Sequence, residues 1–517
     1  MSTVSAASNS HSLKAPGDSD VDAGKDWKAE ADEAVEDRRE ATVGPSSEDT
    51  ALERRARVKL DLTVLPVMTM FYLLSFLDRA NIGNARIAGL QAALQLTDHQ
   101  YQICVTILYV PYICAELPAN LILRKVGPNI LMPTILTAWG VVVTFQGLVS
   151  SYEGLLAVRF LLGLLEGPMF SGIVLYLSEG FYTRRDLSLR ISYFFSAASL
   201  SGAFSGLLAA AISKMDGIGG KDGWAWIFIL EGLFTVVAGV ASFWMVPRTL
   251  QHAFWLTQEE KDALTRRFER DRPAINTKDK FTPKEILRSL LSPHVILMFF
   301  VTFMGGTVLY GLALFLPSIV RQLGFSPLNS QLLSVGPFAV GFVVSLVAAW
   351  WSDEHNTRGV PSIVLCLVSI IGWAMFLGLN SKYALYGALY FMVPGIYAAS
   401  PVSCAWIANN SEPYYRRASS IAITFAGINA GGILSTWRFP TKEGPQFTKT
   451  AIMMLTFLCL AVFLTGLNML YLHCQNKRKQ RLRNRILAPY ATEKEPDGGI
   501  GAWIDLGDKH PDFKYTL

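Results

Sequence analysis

Twelve stretches of about twenty mostly apolar residues run through this chain, and nothing constrains its fold more. A helix needs about 20 such residues to cross the roughly 30 Å hydrocarbon layer of a bilayer. The candidates are 62–82, 101–123, 130–150, 154–178, 187–212 and 225–247, then 294–320, 330–351, 360–380, 384–408, 418–437 and 450–473. Charge is distributed to match. Residues 1–60, 248–292 and 475–517 hold 54 of the 87 charged residues (46 basic, 41 acidic), and the other 369 residues carry 33. A soluble domain averages about 25% charged, so a water-soluble core is excluded. The sequence predicts an all-α membrane protein, with twelve transmembrane helices in two six-helix bundles. Its expected parts are a disordered N-terminal tail (1–60), a first bundle (61–247), a central loop (248–292), a second bundle (293–474) and a C-terminal tail (475–517). Two six-helix halves around one polar loop is a layout of transporters that bind substrate between their halves.

Basic residues near helix ends set orientation. Arg54, Arg55, Arg57, Lys59, Arg124, Lys125, Arg184, Arg185, Arg190, Arg358, Arg416, Arg417 and the run from Lys477 to Arg485 all fall on one side. That side is expected to be cytoplasmic, with both termini and the central loop. A net charge of +5 is accounted for by these flanks and does not point to nucleic acid. The six cysteines lie in or beside apolar stretches without metal-ligand spacing, so they read as small buried hydrophobes. No cofactor is expected. Small residues predict close helix contacts at Gly202, Gly206, Gly427, Gly431 and Gly432.

Six ionisable residues fall inside the predicted spans: Asp78, Arg79, Glu116, Arg159, Glu166 and Glu231. Each costs roughly 3 kcal/mol at a helix centre if left unpaired, so they must pair, titrate or face water. Arg159 and Glu166 are seven apart, which puts them on one face of helix 4, about 10 Å apart. If helices 1 and 4 face each other, Asp78, Arg79, Arg159 and Glu166 share one half of the membrane. Packing offers blander readings. The arginines can snorkel to the interface, Asp78 can brace a neighbouring helix, and Glu116 and Glu231 can serve helix packing.

Five segments carry a family resemblance: LSFLDRANIGNAR (74–86), AELPANLILRKVGP (115–128), RFLLGLLEGPMFSG (159–172), WAWIFILEGL (224–233) and WLTQEEKDAL (255–264). Together they resemble the fungal anion:cation symporters of the major facilitator superfamily, the allantoate and nicotinate permease-like group. The resemblance covers about residues 50–475. It implies twelve helices, a proton-coupled cycle and anionic substrates. In related acidic-sugar symporters an Asp-Arg pair on helix 1 and an Arg and Glu seven apart on helix 4 do the work. Here it implies proton coupling at Asp78 and Glu166 and anion binding at Arg79 and Arg159. Two departures stand out: Arg124 occupies a position that is usually acidic, and helix 10 ends in WIANNSEPYYRRA. The loop pair Asp353 and Arg358 is kept and is expected to form a gate.

The four-charge group is neutral with both acids ionised. Protonating one leaves a net positive cavity that a substrate anion neutralises, so proton and anion favour each other. That sign is symport. Tyr310, Tyr397 and Asn429 of the second half are expected to add specificity for a small ring or ureido compound, although packing alone explains such residues. The expected function is uptake of a small organic anion with a proton by a monomer in membrane lipid, at the plasma membrane of a fungus. Proton-coupled export of a metabolite or drug is the alternative. The sequence offers no Walker A loop and no nucleophile–base arrangement, so an enzyme is not expected.

Overall fold

A computed structural model describes residues 47–183, 186–271, 283–325, 327–438, 447–491 and 499–517, and every regular element among them is helical. The membrane helices are α1 (Ser47–Ile87), α2 (Asp98–Val126), α3 (Pro128–Gln146), α4 (Tyr152–Gly180), α5 (Leu187–Ile212) and α6 (Gly223–Met245), followed by α7 (Pro293–Gln322), α8 (Pro327–Glu354), α9 (Gly359–Gly378), α10 (Lys382–Asn409), α11 (Tyr414–Thr436) and α12 (Thr448–Arg481). Eleven of them meet length and composition criteria for spanning a membrane, and α5, of 26 residues, completes the twelve. In the first bundle α3 packs on α6 and α4, and α2 on α4. In the second, α7 packs on α11 and α12, and α10 on α8 and α9. The bundles meet along α2 with α11 and α5 with α8. Large apolar side chains such as Phe145, Phe234, Val237, Trp244 and Phe463 point outward, as a lipid-facing surface requires. Cys114, Cys459 and Cys474 are exposed there too, so only three of the six cysteines are buried.

Local chemistry sets the helix ends that aim the site. Ser151 caps α4 through Gly154 N–H at 3.1 Å, and Thr97 and Gln100 form a reciprocal capping box at the start of α2. α2 is interrupted at Ile107–Leu108. Pro111 has no N–H to give the carbonyl four residues back, which accounts for the break. Gly163 and Gly167 let α4 lie against this stretch. A Cβ on Gly163 would sit 2.0 Å from the Leu108 carbonyl oxygen, and one on Gly167 would sit 2.5 Å from that of Tyr112. Gly427 and Gly431 serve α11 in the same way, under the carbonyls of Phe299 and Phe303 of α7. The surroundings of Gly202 and Gly206 lie outside the described residues.

The polar parts differ from the sequence expectation. Of the stretch expected to be disordered, residues 1–46 lie outside the described residues, as do Arg184 and Arg185. Residues 47–60, polar by composition, are helical and belong to α1. In the central loop Thr257 and Glu260 cap the helix Gln258–Asp271 reciprocally, and Lys59 pairs with Glu260 at 2.7 Å. The C-terminal stretch is not a free tail. Lys479 is buried, donates to the Asp508 carbonyl at 2.9 Å and to that of Phe513, and lies 3.8 Å from the Tyr515 ring. Asn410 exchanges two hydrogen bonds with the Thr516 backbone, at 2.8 and 2.9 Å. Arg416 pairs with Asp508 and, at 2.7 Å, with Glu285 of the loop helix Pro283–Leu290.

Candidate substrate and proton site

Arg79 joins the two bundles. Arg79 and Ser75 are one turn apart on α1 and share a face toward α4. Ser75 Oγ donates to Glu166 Oε1 at 2.5 Å, and Arg79 Nε donates to the same oxygen at 2.6 Å. Arg79 Nη1 donates to the Tyr310 hydroxyl of α7 at 2.5 Å, and that hydroxyl donates to Asn429 Oδ1 of α11 at 3.1 Å. The Asn429 amide is fixed in turn by the Phe425 carbonyl at 3.0 Å. The guanidinium is bedded on aromatic rings, 4.9 Å from Tyr112 and 5.2 Å from Phe76. Tyr109 stands edge-on to Tyr310 at 5.6 Å. The chain Glu166–Arg79–Tyr310–Asn429 is buried throughout, where a charge-assisted bond is strong and an unpaired charge is costly.

The other predicted charges are near but not in this chain. Asp78 immediately precedes Arg79, and adjacent residues of a helix point about 100° apart. It turns to Trp139 of α3 and Glu231 of α6, within electrostatic reach of Glu166 and Arg159 of α4. Asn81, one turn on, donates its amide hydrogen to Glu231 Oε2. Arg159 is 1% exposed, and its Nε and Nη2 meet no acceptor. So the expected four-charge cluster is one ion pair, Arg79–Glu166, flanked by an acid pair and an unpaired arginine. Counting Glu116, four carboxyl groups and two guanidiniums are buried in this part of the first bundle. Tyr397 does not reach the chain. It packs edge-on to Phe338 of α8 at 5.3 Å.

The bundles are bridged at both ends. At the basic end, which carries Arg124, Arg358 and Arg416, Asp353 Oδ1 pairs with Arg358 at 2.5 Å. Its Oδ2 accepts the Leu189 N–H at 2.9 Å, so a carboxylate of α8 caps the N-terminus of α5 across the interface. Arg417 of α11 reaches Glu179 of α4 at 3.1 Å and also pairs with Glu412. Arg124 lies 4.9 Å over the Tyr414 ring and 5.8 Å over Tyr415. The two sequence departures therefore meet: Arg124, at a position that is usually acidic, makes a cation–π contact with the tyrosines that follow α10. At the opposite end Trp437 Nε1 donates to Thr106 Oγ1 at 3.1 Å.

Sequence reasoning does not find Ser75, Asn81, Tyr112 or Glu179. Ser75 and Asn81 were discoverable as polar residues one turn from Arg79 and from Asp78 on an apolar helix. Tyr112 and Glu179 carry no comparable signal.

Residues 68–436 match the Major Facilitator Superfamily. An uncharacterised transporter of Schizosaccharomyces pombe is 33% identical, with 88% of this chain and 91% of the relative covered. The high-affinity nicotinic acid transporter of Saccharomyces cerevisiae is 30% identical, with 91% of this chain and 86% of the relative covered. Among solved structures, the proton:xylose symporter XylE bound to 6-bromo-6-deoxy-D-glucose superposes with a TM-score of 0.62 at 16% identity, over 79% of this chain and 95% of that one. That likeness concerns the fold. With twelve membrane helices, a bridged interface and these relatives, the chain is a multi-pass membrane transporter that belongs to the Major Facilitator Superfamily, among its fungal members.

Proposed function

We propose that the protein is a proton-coupled symporter that imports a small organic anion. The observation that carries this reading is Glu166 holding Arg79 while Arg79 also holds Tyr310 of the other bundle. A proton arriving on Glu166 cancels its charge and releases the guanidinium. A substrate carboxylate then takes the place of Glu166 and restores neutrality. Each partner favours the other's binding, by the same factor in both directions. In an antiporter the two would compete, which is the opposite sign. Arg159, without an acid partner, is the second cation for the anion, and Asp78 is a further place for the proton. Tyr310 and Asn429 give the second bundle its share of specificity, with Tyr397 further out against Phe338.

In this reading residues 61–247 and 293–474 rock as two units around the site, and Asp353–Arg358 gates the basic end. The basic end faces the cytoplasm, with both termini, and the protein works as a monomer in the plasma membrane. The name of the yeast relative, a nicotinic acid transporter, supports a compact carboxylate on a ring or ureido frame. The test is uptake in proteoliposomes with an imposed pH gradient, over nicotinate, allantoate, pantothenate, biotin and dicarboxylates. At least one anion is expected to accumulate uphill when the outside is acidic, and a protonophore is expected to abolish it. Uptake indifferent to pH, or accumulation driven by the reverse gradient, overturns the reading.

A further inference from the structure

Glu116 of α2 is a buried acid that the Glu166–Arg79–Tyr310–Asn429 chain leaves unused. It is 1% exposed, neither carboxyl oxygen has a hydrogen-bond partner within 3.5 Å, and the Ser171 hydroxyl is the side-chain donor that faces it. The groups around it come from five helices: Arg79 of α1, Tyr112 of α2 itself, Ser171 of α4, Tyr310 of α7 and Cys404 of α10. Ser171 turns its hydroxyl to Asn120 Oδ1 at 3.3 Å. Arg79 is the one cation in this set. It has a third nitrogen, Nη2, that is buried and without an acceptor.

Arg79 lies over the ring of Tyr112, and Glu116 follows Tyr112 by one turn, about 6 Å further along the same face of α2. A shift of the guanidinium by one helical turn therefore carries it from one acid toward the other. An ionised carboxylate buried without a partner costs several kcal/mol, whereas the neutral acid costs far less. Glu166 already has Arg79 and Ser75. The arrangement accommodates one negative charge on Glu166 and a neutral Glu116. Glu166 sits midway along α4, and Glu116 sits roughly 6 Å nearer the basic end, so the two acids are staggered across the membrane.

We propose that Glu116 is a second station for the transported proton, on the basic-end side of Glu166, with Arg79 pairing with whichever of the two acids is ionised. The step is balanced. The O–H bond on one carboxyl breaks, one forms on the other, and the ion pair to Arg79 moves the opposite way with no change in net charge. Resting on the symport reading above, it gives the proton a route from the substrate site toward the basic end after the anion is released.

Two measurements test it. Infrared spectroscopy of the purified protein at neutral pH, without substrate, reads the C=O band of protonated carboxyl groups. Glu116→Gln is expected to remove a component of that band, Glu116→Asp to keep it at a shifted frequency, and Glu166→Gln to weaken it, because Arg79, freed of Glu166, then pairs with an ionised Glu116. In proteoliposomes Glu116→Gln is expected to lower pH-driven accumulation at least tenfold. Counterflow exchange, which needs no net proton movement, is expected to fall much less. Glu116→Asp, still an acid, is expected to recover part of the accumulation and shows that the site tolerates substitution. A band unchanged in Glu116→Gln, or wild-type accumulation by that variant, overturns the proposal. If the wild-type protein itself shows no pH-driven accumulation, the symport reading fails, and the infrared result still decides where the proton resides.

Discussion

At the scale of single residues, the Arg79–Glu166 pair can be separated from its surroundings by stability alone. Breaking a buried pair by removing one partner typically costs 3–5 kcal/mol, because the survivor is left charged and unpaired, whereas removing both costs much less. Arg79→Ala is therefore expected to lower the melting temperature in detergent sharply, and Arg79→Ala with Glu166→Gln to recover most of the loss. A double variant no more stable than Arg79→Ala would mean that the two side chains do not act as a pair. Neither variant is expected to transport. The sequence names the side chains that meet here. Arg79, Glu166, Tyr310 and Asn429 stand out as charge or hydrogen-bonding groups where lipid penalises them, and they meet. What the sequence leaves open is which acid takes which base. Asp78 and Arg79 are neighbours in the chain, so their side chains point about 100° apart, and only packing decides that Arg79 takes Glu166 while Asp78 turns to Trp139 and Glu231. Tyr397 shows the converse, an aromatic residue on the right helix whose nearest ring is Phe338.

At the scale of elements, the site depends on how closely α2 and α4 approach. Gly167 follows Glu166 directly and lies against the backbone of Tyr112, whose ring beds Arg79. A methyl group there would sit 2.5 Å from a carbonyl oxygen that cannot swing aside, so Gly167→Ala must push the helices apart. Overpacking of this kind costs about 1–3 kcal/mol. It is expected to appear as lower thermal stability in detergent together with weaker substrate binding. Gly180, at the far end of α4, has open space where its Cβ would go, and Gly180→Ala is expected to change neither. Equal effects of the two substitutions would remove the close approach as the cause. Small-residue spacing points to Gly427 and Gly431, which do lie against carbonyls of α7, but not to Gly163 or Gly167. The C-terminal segment was not legible at all. Six basic residues between Lys477 and Arg485 suggest a solvated tail. The acceptors that allow Lys479 to be buried are carbonyls of Asp508 and Phe513, some thirty residues away. Backbone acceptors leave no trace in composition.

At the scale of the molecule, six helices, a polar loop and six more are legible because a bilayer imposes length and apolarity on every span. How the halves hold each other is not, because the bridges are single contacts between distant side chains. Those bridges make a prediction about motion. At the basic end Arg124 rests on Tyr414 and Tyr415, and Arg417 reaches Glu179. A cation–π contact contributes about 0.5–2 kcal/mol, and an ion pair with a partly exposed partner up to about 1 kcal/mol. Arg124→Ala with Glu179→Gln removes both and leaves Arg417 paired with Glu412. The loss, about 1–3 kcal/mol, shifts a two-state equilibrium roughly five- to 150-fold toward opening of that end. Cys404 of α10 is a built-in reporter, buried beside Glu116 in the closed arrangement. With the other five cysteines replaced, its reaction with a membrane-impermeant maleimide is expected to quicken about tenfold in the double variant. The increase is expected in inside-out vesicles and not in intact cells, because the basic end faces the cytoplasm in the proposed orientation. Faster labelling from the outside would reverse the topology. An unchanged rate from either side would mean that the Arg124 and Arg417 contacts do not hold the basic end shut, which would leave the Asp353 carboxylate on the N-terminus of α5 as the bridge that does.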